Sequence, residues 1–136
     1  MNLDKMKHQH VDILEKISFL RTLSQSGVSS NAQQIAAAIV SMSAIIKTHL
    51  SAEDQFLYPQ IEQDGNSKLR QVSTQFQREM ADIVGEYDAF SRRWNIASKL
   101  MGNDEAFRRD ANTVLRKVFE RMQRENKDFY PLVERM

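Results

Sequence analysis

The sequence predicts an all-α fold, an up-down-up-down antiparallel four-helix bundle formed by a single domain over residues 1–136. Apolar residues recur at steps of three and four along nearly the whole chain, which is the spacing of one face of a helix. The 136 residues contain only 4 Gly and 2 Pro, too few for the frequent turns of an all-β domain. Three short polar breaks, at SQSGVSSNAQ, QDGNS and MGND, divide the chain into four helical segments.

The first two predicted helices cover residues 3–24 and 31–62. The stripe on the first helix consists of Met6, His10, Ile13, Ile17 and Leu20. The stripe on the second helix consists of Ile35, Ile39, Met42, Ile46, His49, Glu53 and Phe56. Pro59 lies near the end of the second helix, where it must remove a helix hydrogen bond or kink the last turn.

The last two predicted helices cover residues 67–101 and 104–134, and Asp104 is a suitable N-cap for the fourth. The stripe on the third helix consists of Leu69, Phe76, Met80, Ile83, Tyr87, Phe90 and Trp94. The stripe on the fourth consists of Phe107, Ala111, Val114, Val118, Arg121, Glu125 and Leu132. All four stripes have the 3-4 spacing of helices that pack side by side in a bundle.

The composition excludes several classes of function. Nineteen Lys and Arg against eighteen Asp and Glu give no electrostatic basis for binding nucleic acid or an anionic membrane. The chain has no Cys, which excludes thiol catalysis and Cys-ligated metals. The longest apolar run is six residues (35–40), so we expect no membrane span, and with no signal peptide visible we expect a cytoplasmic protein. No nucleophilic triad or phosphate-binding loop is found, so we expect a protein that is not an enzyme.

The predicted stripes contain polar residues where a bundle should be apolar. His10 lies early in the first helix, His49 and Glu53 lie one turn apart late in the second, and Arg121 and Glu125 lie one turn apart late in the fourth. In an antiparallel bundle these positions converge at one end. Because a buried unpaired charge costs several kcal/mol, these groups must meet one another, a metal or water.

An internal repeat supports this convergence. The segment 49–62, HLSAEDQFLYPQIE, aligns without gaps with the segment 121–134, RMQRENKDFYPLVE. Glu53 matches Glu125, and both segments contain Tyr-Pro five residues after that Glu. Arg121 takes the place of His49. The repeat indicates a bundle built from two similar helical hairpins.

A His in the first helix, followed by HxxxE and an aromatic-Pro turn in the second, resembles the hemerythrin-like (HHE cation-binding) family. The resemblance spans essentially the whole chain and implies a four-helix bundle that holds non-haem iron among its helices. By position, it implies His10, His49, Glu53 and Glu125 as metal ligands. In this family the two carboxylates bridge a pair of irons.

The chain departs from the family pattern at two places. The usual His of the third helix is missing, with Gln77 the nearest equivalent and Ser73 one turn before it, and the usual His of the fourth helix is Arg121. Two carboxylates, one divalent metal and Arg121 carry the same net charge as two carboxylates, two divalent irons and a hydroxide. We therefore hypothesise that Arg121 replaces the second metal, leaving a mononuclear or incomplete di-iron site, for which iron, zinc and manganese are all suitable.

Two classes of function remain open at this point. The resemblance implies a sensing or regulatory role with a small ligand such as dioxygen or nitric oxide, because reversible two-electron dioxygen carriage needs both irons. The alternative is a metal-free degenerate bundle in which Arg121 forms buried ion pairs, acting as an interaction module with a regulatory protein or as a homodimer. His8 is read as solvated, although it would exchange roles with His10 if the helix phase were different.

Overall fold

The computed structural model describes residues 1–136, and it contains helices and no strand. The all-α fold predicted from the sequence is confirmed. The α-helices are α1 (Asp4–Ser26), α2 (Ala32–Ala52), α3 (Tyr58–Asp64), α4 (Ser67–Trp94), α5 (Ala97–Leu100), α6 (Asp104–Arg124) and α7 (Tyr130–Glu134).

The long helices form a four-cornered bundle. Helix α1 packs against α2 and α6, and α4 packs against the same two helices from the other side. The bundle has four arms: α1, α2 with α3, α4, and α6 with α7. Short connections join consecutive arms, so these run antiparallel. The phenol of Tyr87 in α4 donates a hydrogen bond of 2.6 Å to the backbone oxygen of Ile39 in α2, which ties the middle of these helices together.

Two π-helical segments of five residues interrupt the second and fourth arms of the bundle. Glu53–Leu57 joins α2 to α3, and Glu125–Phe129 joins α6 to α7. In each, the N–H of the following Tyr donates to the backbone oxygen of the Glu five residues earlier. A Pro follows each Tyr, and because its ring cannot fit a regular α-turn against the carbonyl four residues back, a wider turn at this point relieves the clash.

Two residues of the predicted stripes, Phe56 and Leu132, do not lie on the inner face, and the π segments explain why. Phe56 is 63% exposed and Leu132 is 37% exposed, whereas the neighbouring Leu57 and Val133 are fully buried. The wider turn moves Phe56, the fourth residue of its segment, off the inner face. It also shifts the residues after the second segment, including Leu132, by one position around the helix. Regular α-helical periodicity therefore misplaces both side chains.

Two helix ends also differ from the prediction. Helix α4 ends at Trp94, and residues 97–100 form the separate short helix α5. Asp104 is the first residue of α6 rather than its cap, and its carboxylate accepts a hydrogen bond of 2.5 Å from the hydroxyl of Ser29. This contact joins the loop before α2 to the first residue of α6.

The core has two apolar parts. The larger runs through the middle and far end of the bundle and includes Ile39, Met80 and Phe107, and the smaller lies at the end containing the π segments and includes Leu57 and Phe129. A layer of buried polar residues lies where the two parts meet, at or next to the change from one part to the other on three of the four arms: His10, His49, Glu53, Arg121 and Glu125. Ser73 on α4 is also buried, but it lies within the smaller part.

The helical stretch 29–64 is long and apolar enough, by length and composition alone, to cross a membrane. Its apolar residues supply one wall of the bundle core, including Ile35, Ile39 and Met42, which are fully buried. The core helix of a bundle can have the same length and apolar composition as a spanning helix. The absence of a membrane span stays a prediction from the sequence.

Candidate metal centre

The four candidate ligands come from three separate parts of the chain. His10 lies on α1 and His49 on the last turn of α2, while Glu53 and Glu125 are the first residues of the two π segments. All four side chains are buried, with no more than 1% of any residue exposed. Arg121, one turn before Glu125, is buried to the same degree. The structure thus brings together all five residues expected in this layer.

Three ligand atoms converge most closely. Nε2 of His10 lies 3.1 Å from Nε2 of His49 and 2.7 Å from Oε1 of Glu125. Nε2 of His49 lies 3.2 Å from the same carboxylate oxygen. These atoms form a compact triangle of nitrogen and oxygen donors that could hold a metal ion. Glu53 lies at its edge, with Oε1 3.6 Å from Nε2 of His49.

Hydrogen bonds outside the triangle orient both imidazoles. Nδ1 of His10 donates to the amide oxygen of Asn126 at 2.8 Å, and Nδ1 of His49 donates to the amide oxygen of Gln9 at 2.8 Å. A proton on each Nδ1 leaves a lone pair on each Nε2. Those two lone pairs and a carboxylate oxygen then face one another, an arrangement that a cation at their centre would stabilise.

The spacing of the donor atoms fits a transition metal. Donors at about 2.1 Å from a common metal lie about 3.0 Å apart at right angles and about 3.4 Å apart at the tetrahedral angle. The separations between the donor atoms of His10, His49 and Glu125, 2.7–3.2 Å, are close to these values. Oε1 of Glu53 is buried without a hydrogen-bond partner, as expected for a ligand oxygen. The residues present therefore fit a metal site.

Arg121 fills the other half of the polar layer. Its Nε donates to Oε2 of Glu125 at 2.8 Å, so this carboxylate faces the histidines with one oxygen and the guanidinium with the other. The guanidinium lies 4.6 Å above the ring centre of Phe76, and its Nη2 donates to the hydroxyl of Tyr58 at 3.4 Å. A cation thus already occupies the side of Glu125 where a second metal would lie.

The prediction that Gln77 stands nearest to the place of the usual third-helix His is wrong. Gln77 is exposed on the outer face of α4, and the residue that faces Arg121 from this helix is Phe76. Ser73 is buried as expected for a residue near the inner face, at 5% exposure. The third arm therefore contributes an aromatic ring to the contacts of Arg121. His8 is exposed, in agreement with the sequence prediction.

The buried carboxyls have opposite pKa shifts. Burial, and then the neighbouring carboxylate of Glu125, raise the pKa of Glu53 well above its ordinary value. Burial acts to raise the pKa of Glu125 as well, but the close contacts with His10 and His49 and the charge of Arg121 outweigh it and lower that pKa. Burial also lowers the pKa of His49, which favours the neutral imidazole that a metal requires.

Sequence reasoning missed several residues around the site. Tyr130 places its hydroxyl 3.1 Å from Nε2 of His10, and the repeated Tyr-Pro was a signal for it and for Tyr58. Gln9 and Asn126 gave no signal, because each lies beside a predicted ligand and reaches across to a different helix. Glu79 on α4 also gave no signal, and its Oε2 lies 3.7 Å from Nη1 of Arg121 on α6.

Comparison with known proteins supports the assignment drawn from this geometry. The family model of the hemerythrin HHE cation-binding domain matches residues 1–133. No similar chain was found among curated proteins or among solved structures. The match covers nearly the whole bundle, including all four candidate ligands and both π segments. The chain belongs to the hemerythrin HHE cation-binding domain family.

Proposed function

We propose that the domain binds one non-haem iron ion through His10, His49, Glu125 and Glu53, and that it senses a small diatomic ligand such as dioxygen or nitric oxide. Bound iron would supply a redox-active Lewis acid in an enclosed site. The role is regulatory binding in the cytoplasm rather than catalysis. Zinc or manganese fits the same donor set, so iron is the part of the proposal that metal analysis decides.

The observation that carries the proposal is that the two carboxylate oxygens of Glu125 have different partners. One of its oxygens faces two imidazole nitrogens at 2.7 and 3.2 Å, and the other accepts from Arg121 at 2.8 Å. One metal and one guanidinium can therefore share a carboxylate that would bridge two irons elsewhere in the family. A single iron lacks the second electron donor of a reversible dioxygen carrier, which favours sensing.

Burial of the site favours a very small ligand. His10, His49, Glu53 and Glu125 are each at most 1% exposed, and the aromatic rings of the smaller core cover them from the end of the bundle. A diatomic molecule can reach such a site through side-chain motions. A larger substrate would require the π segments to separate from α1 and α4.

Metal content tests the proposal. Protein expressed in iron-rich medium should contain about one iron per chain by elemental analysis, since two imidazoles and two carboxylates form one complete ligand set. His49→Gln should lose the metal, and His8→Gln, which changes an exposed His, should retain it. A wild-type protein without metal, or one that loses metal equally in both variants, would contradict the proposal.

The same measurement tests whether Arg121 replaces a metal. Arg121→His combined with Phe76→His should raise the metal content toward two per chain, because both changes introduce imidazoles around the space that the Arg121 guanidinium occupies next to Oε2 of Glu125. Arg121→His combined with Gln77→His is the matched control, since Gln77 lies on the outer face. An unchanged metal content in the first double variant would contradict the replacement.

One observation favours the alternative, a metal-free interaction module. The Arg121 guanidinium already pairs with Glu125 and stacks on Phe76, so half of the polar layer is stable without a metal. Such a module would act through a regulatory protein partner or as a homodimer. Iron analysis separates the two functions, because the module predicts no bound metal and no effect of His49→Gln on assembly.

A further inference from the structure

The hydroxyl of Tyr130 lies among the candidate ligand atoms. It is 3.1 Å from Nε2 of His10, 3.2 Å from Oε1 of Glu125 and 3.3 Å from Oε2 of Glu53. Tyr130 has no exposed surface, and its ring stacks on that of His10 with the centroids 5.0 Å apart. The aromatic packing therefore holds the hydroxyl in place against three of the four predicted ligands.

Hydrogen bonding alone accounts poorly for this position. A phenol has one proton to donate, and it faces three acceptors. The two distances to carboxylate oxygens, 3.2 and 3.3 Å, are longer than the roughly 2.7–2.8 Å of an ordinary O–H···O hydrogen bond. They are instead close to the separation of about 3.0 Å between neighbouring donors around one transition metal. The hydroxyl is thus placed as a donor atom is placed in a coordination shell.

The five donor groups together outline a ring with an apex. Around the ring, His49 to His10 is 3.1 Å, His10 to Tyr130 is 3.1 Å, Tyr130 to Glu53 Oε2 is 3.3 Å, and Glu53 Oε1 to His49 is 3.6 Å. Glu125 Oε1 lies over this ring, 2.7–3.2 Å from three of its members. Without Tyr130 the ring has a gap between His10 and Glu53.

The geometry points to Tyr130 as a fifth metal ligand that binds iron through its phenol oxygen. This inference rests on the proposed iron site and adds a ligand to it. When the bond forms, the phenol loses its proton to solvent, as ligands do when a metal binds. A hard anionic oxygen beside two carboxylates would favour ferric over ferrous iron.

Tyr58 provides a matched control within the same chain. It occupies the position of Tyr130 in the repeat, five residues after Glu53, and follows the other π segment. Its hydroxyl, however, accepts a hydrogen bond from Nη2 of Arg121 at 3.4 Å. Tyr58 therefore faces the guanidinium half of the layer and is no ligand. Both Tyr→Phe changes remove one buried hydroxyl.

The test compares ferric-loaded wild type, Tyr130→Phe and Tyr58→Phe. A phenolate bound to ferric iron gives a charge-transfer band in visible light, and exciting that band enhances the vibrations of the phenolate ring in Raman spectra. A single ferric ion held by imidazoles and carboxylates lacks both features. We expect the wild type and Tyr58→Phe to show the band and Tyr130→Phe to lose it, with the bound iron of each sample counted by elemental analysis.

The outcomes separate this inference from the proposed function. Iron bound to the wild type without a phenolate band would overturn the ligand role of Tyr130 and leave the iron site intact. A band that survives Tyr130→Phe, or disappears only in Tyr58→Phe, would overturn it equally. No iron in the wild type would overturn the proposed function and this inference with it. If Tyr130→Phe fails to fold, the Raman spectra of the wild type and Tyr58→Phe decide the question. Phenolate vibrations in both support the ligand role of Tyr130, and their absence from the wild type overturns it.

Discussion

Glu125 and Arg121 form a buried ion pair at the edge of the candidate metal site. The guanidinium binds the carboxylate oxygen that a second metal would bind, and both side chains are fully buried. The planar, permanently charged guanidinium suits a carboxylate better than any other cationic side chain. The remaining oxygen of Glu125 keeps its place beside His10 and His49. Arg121 thus holds the Glu125 carboxylate in position beside the two histidines.

Arg121→Met should destabilise the metal-free protein by about 3–5 kcal/mol, because it leaves the buried carboxylate of Glu125 without its cation. The free energy of unfolding, measured by urea denaturation, checks this. Arg124→Met is the control: this side chain also lies over the Phe76 ring, at 5.0 Å, but pairs with Glu79 at the surface. We expect the control to cost about 1 kcal/mol or less. Equal losses in the two variants would show that stacking on Phe76, and not the buried pair, stabilises this layer.

The candidate ligands were easier to place inside the bundle than the residues that contact them. His10, His49, Glu53 and Glu125 lie in otherwise apolar stripes, and a polar residue in such a stripe must point into the bundle. Gln77 was misplaced because it lies at the edge of its stripe, where a small rotation of α4 decides between inside and outside. Gln9 reaches His49 from a different helix, and sequence spacing along one helix carries no information on such contacts.

At the scale of the helices, periodicity predicted the arms of the bundle and missed the π segments. A π turn contains the same kinds of residue as an α turn, and only its hydrogen bonding differs. The two Tyr-Pro pairs located the disturbance to within one turn, but not its form. The wide turn brings the residue five positions on back over the first, which is why the Tyr130 hydroxyl lies 3.2 Å from Glu125. The predicted ligand layer thus depends on a feature that the periodicity does not reveal.

Gly85 lies inside α4, the longest helix, where a glycine is expected to lower helix stability. It lies on the exposed face of α4, and a Cβ built there meets nothing within 4 Å. Gly85→Ala should therefore raise the free energy of unfolding by about 0.5–1 kcal/mol, through reduced backbone entropy of the unfolded chain. Gly102→Ala is the control with equal room but a φ of +79°, and it should destabilise by about 1–2 kcal/mol. A loss of stability in Gly85→Ala by thermal or urea unfolding would show that the helix needs flexibility at this point.

For the whole molecule, a metal bound at the proposed site would couple metal binding to folding. Its ligands lie at positions 10, 49, 53 and 125, so no short segment of the unfolded chain contains the full set. The polar layer also lies where the two apolar parts of the core meet, and it interrupts apolar contact between them. A metal that binds only the folded chain offsets the cost of burying these groups.

Removal of the metal should therefore lower the stability of the whole bundle. At a free metal concentration 100 times the dissociation constant, binding to the native state alone adds about 2.7 kcal/mol. For a domain of this size that corresponds to a rise in Tm of roughly 10 °C, measured by melting the protein with excess metal and with chelator. The His49→Gln variant should melt at the same temperature under both conditions, because it lacks an imidazole ligand. A wild-type Tm that does not respond to chelator, in protein shown to contain iron, would mean that the metal binds outside this layer or binds the unfolded chain equally well.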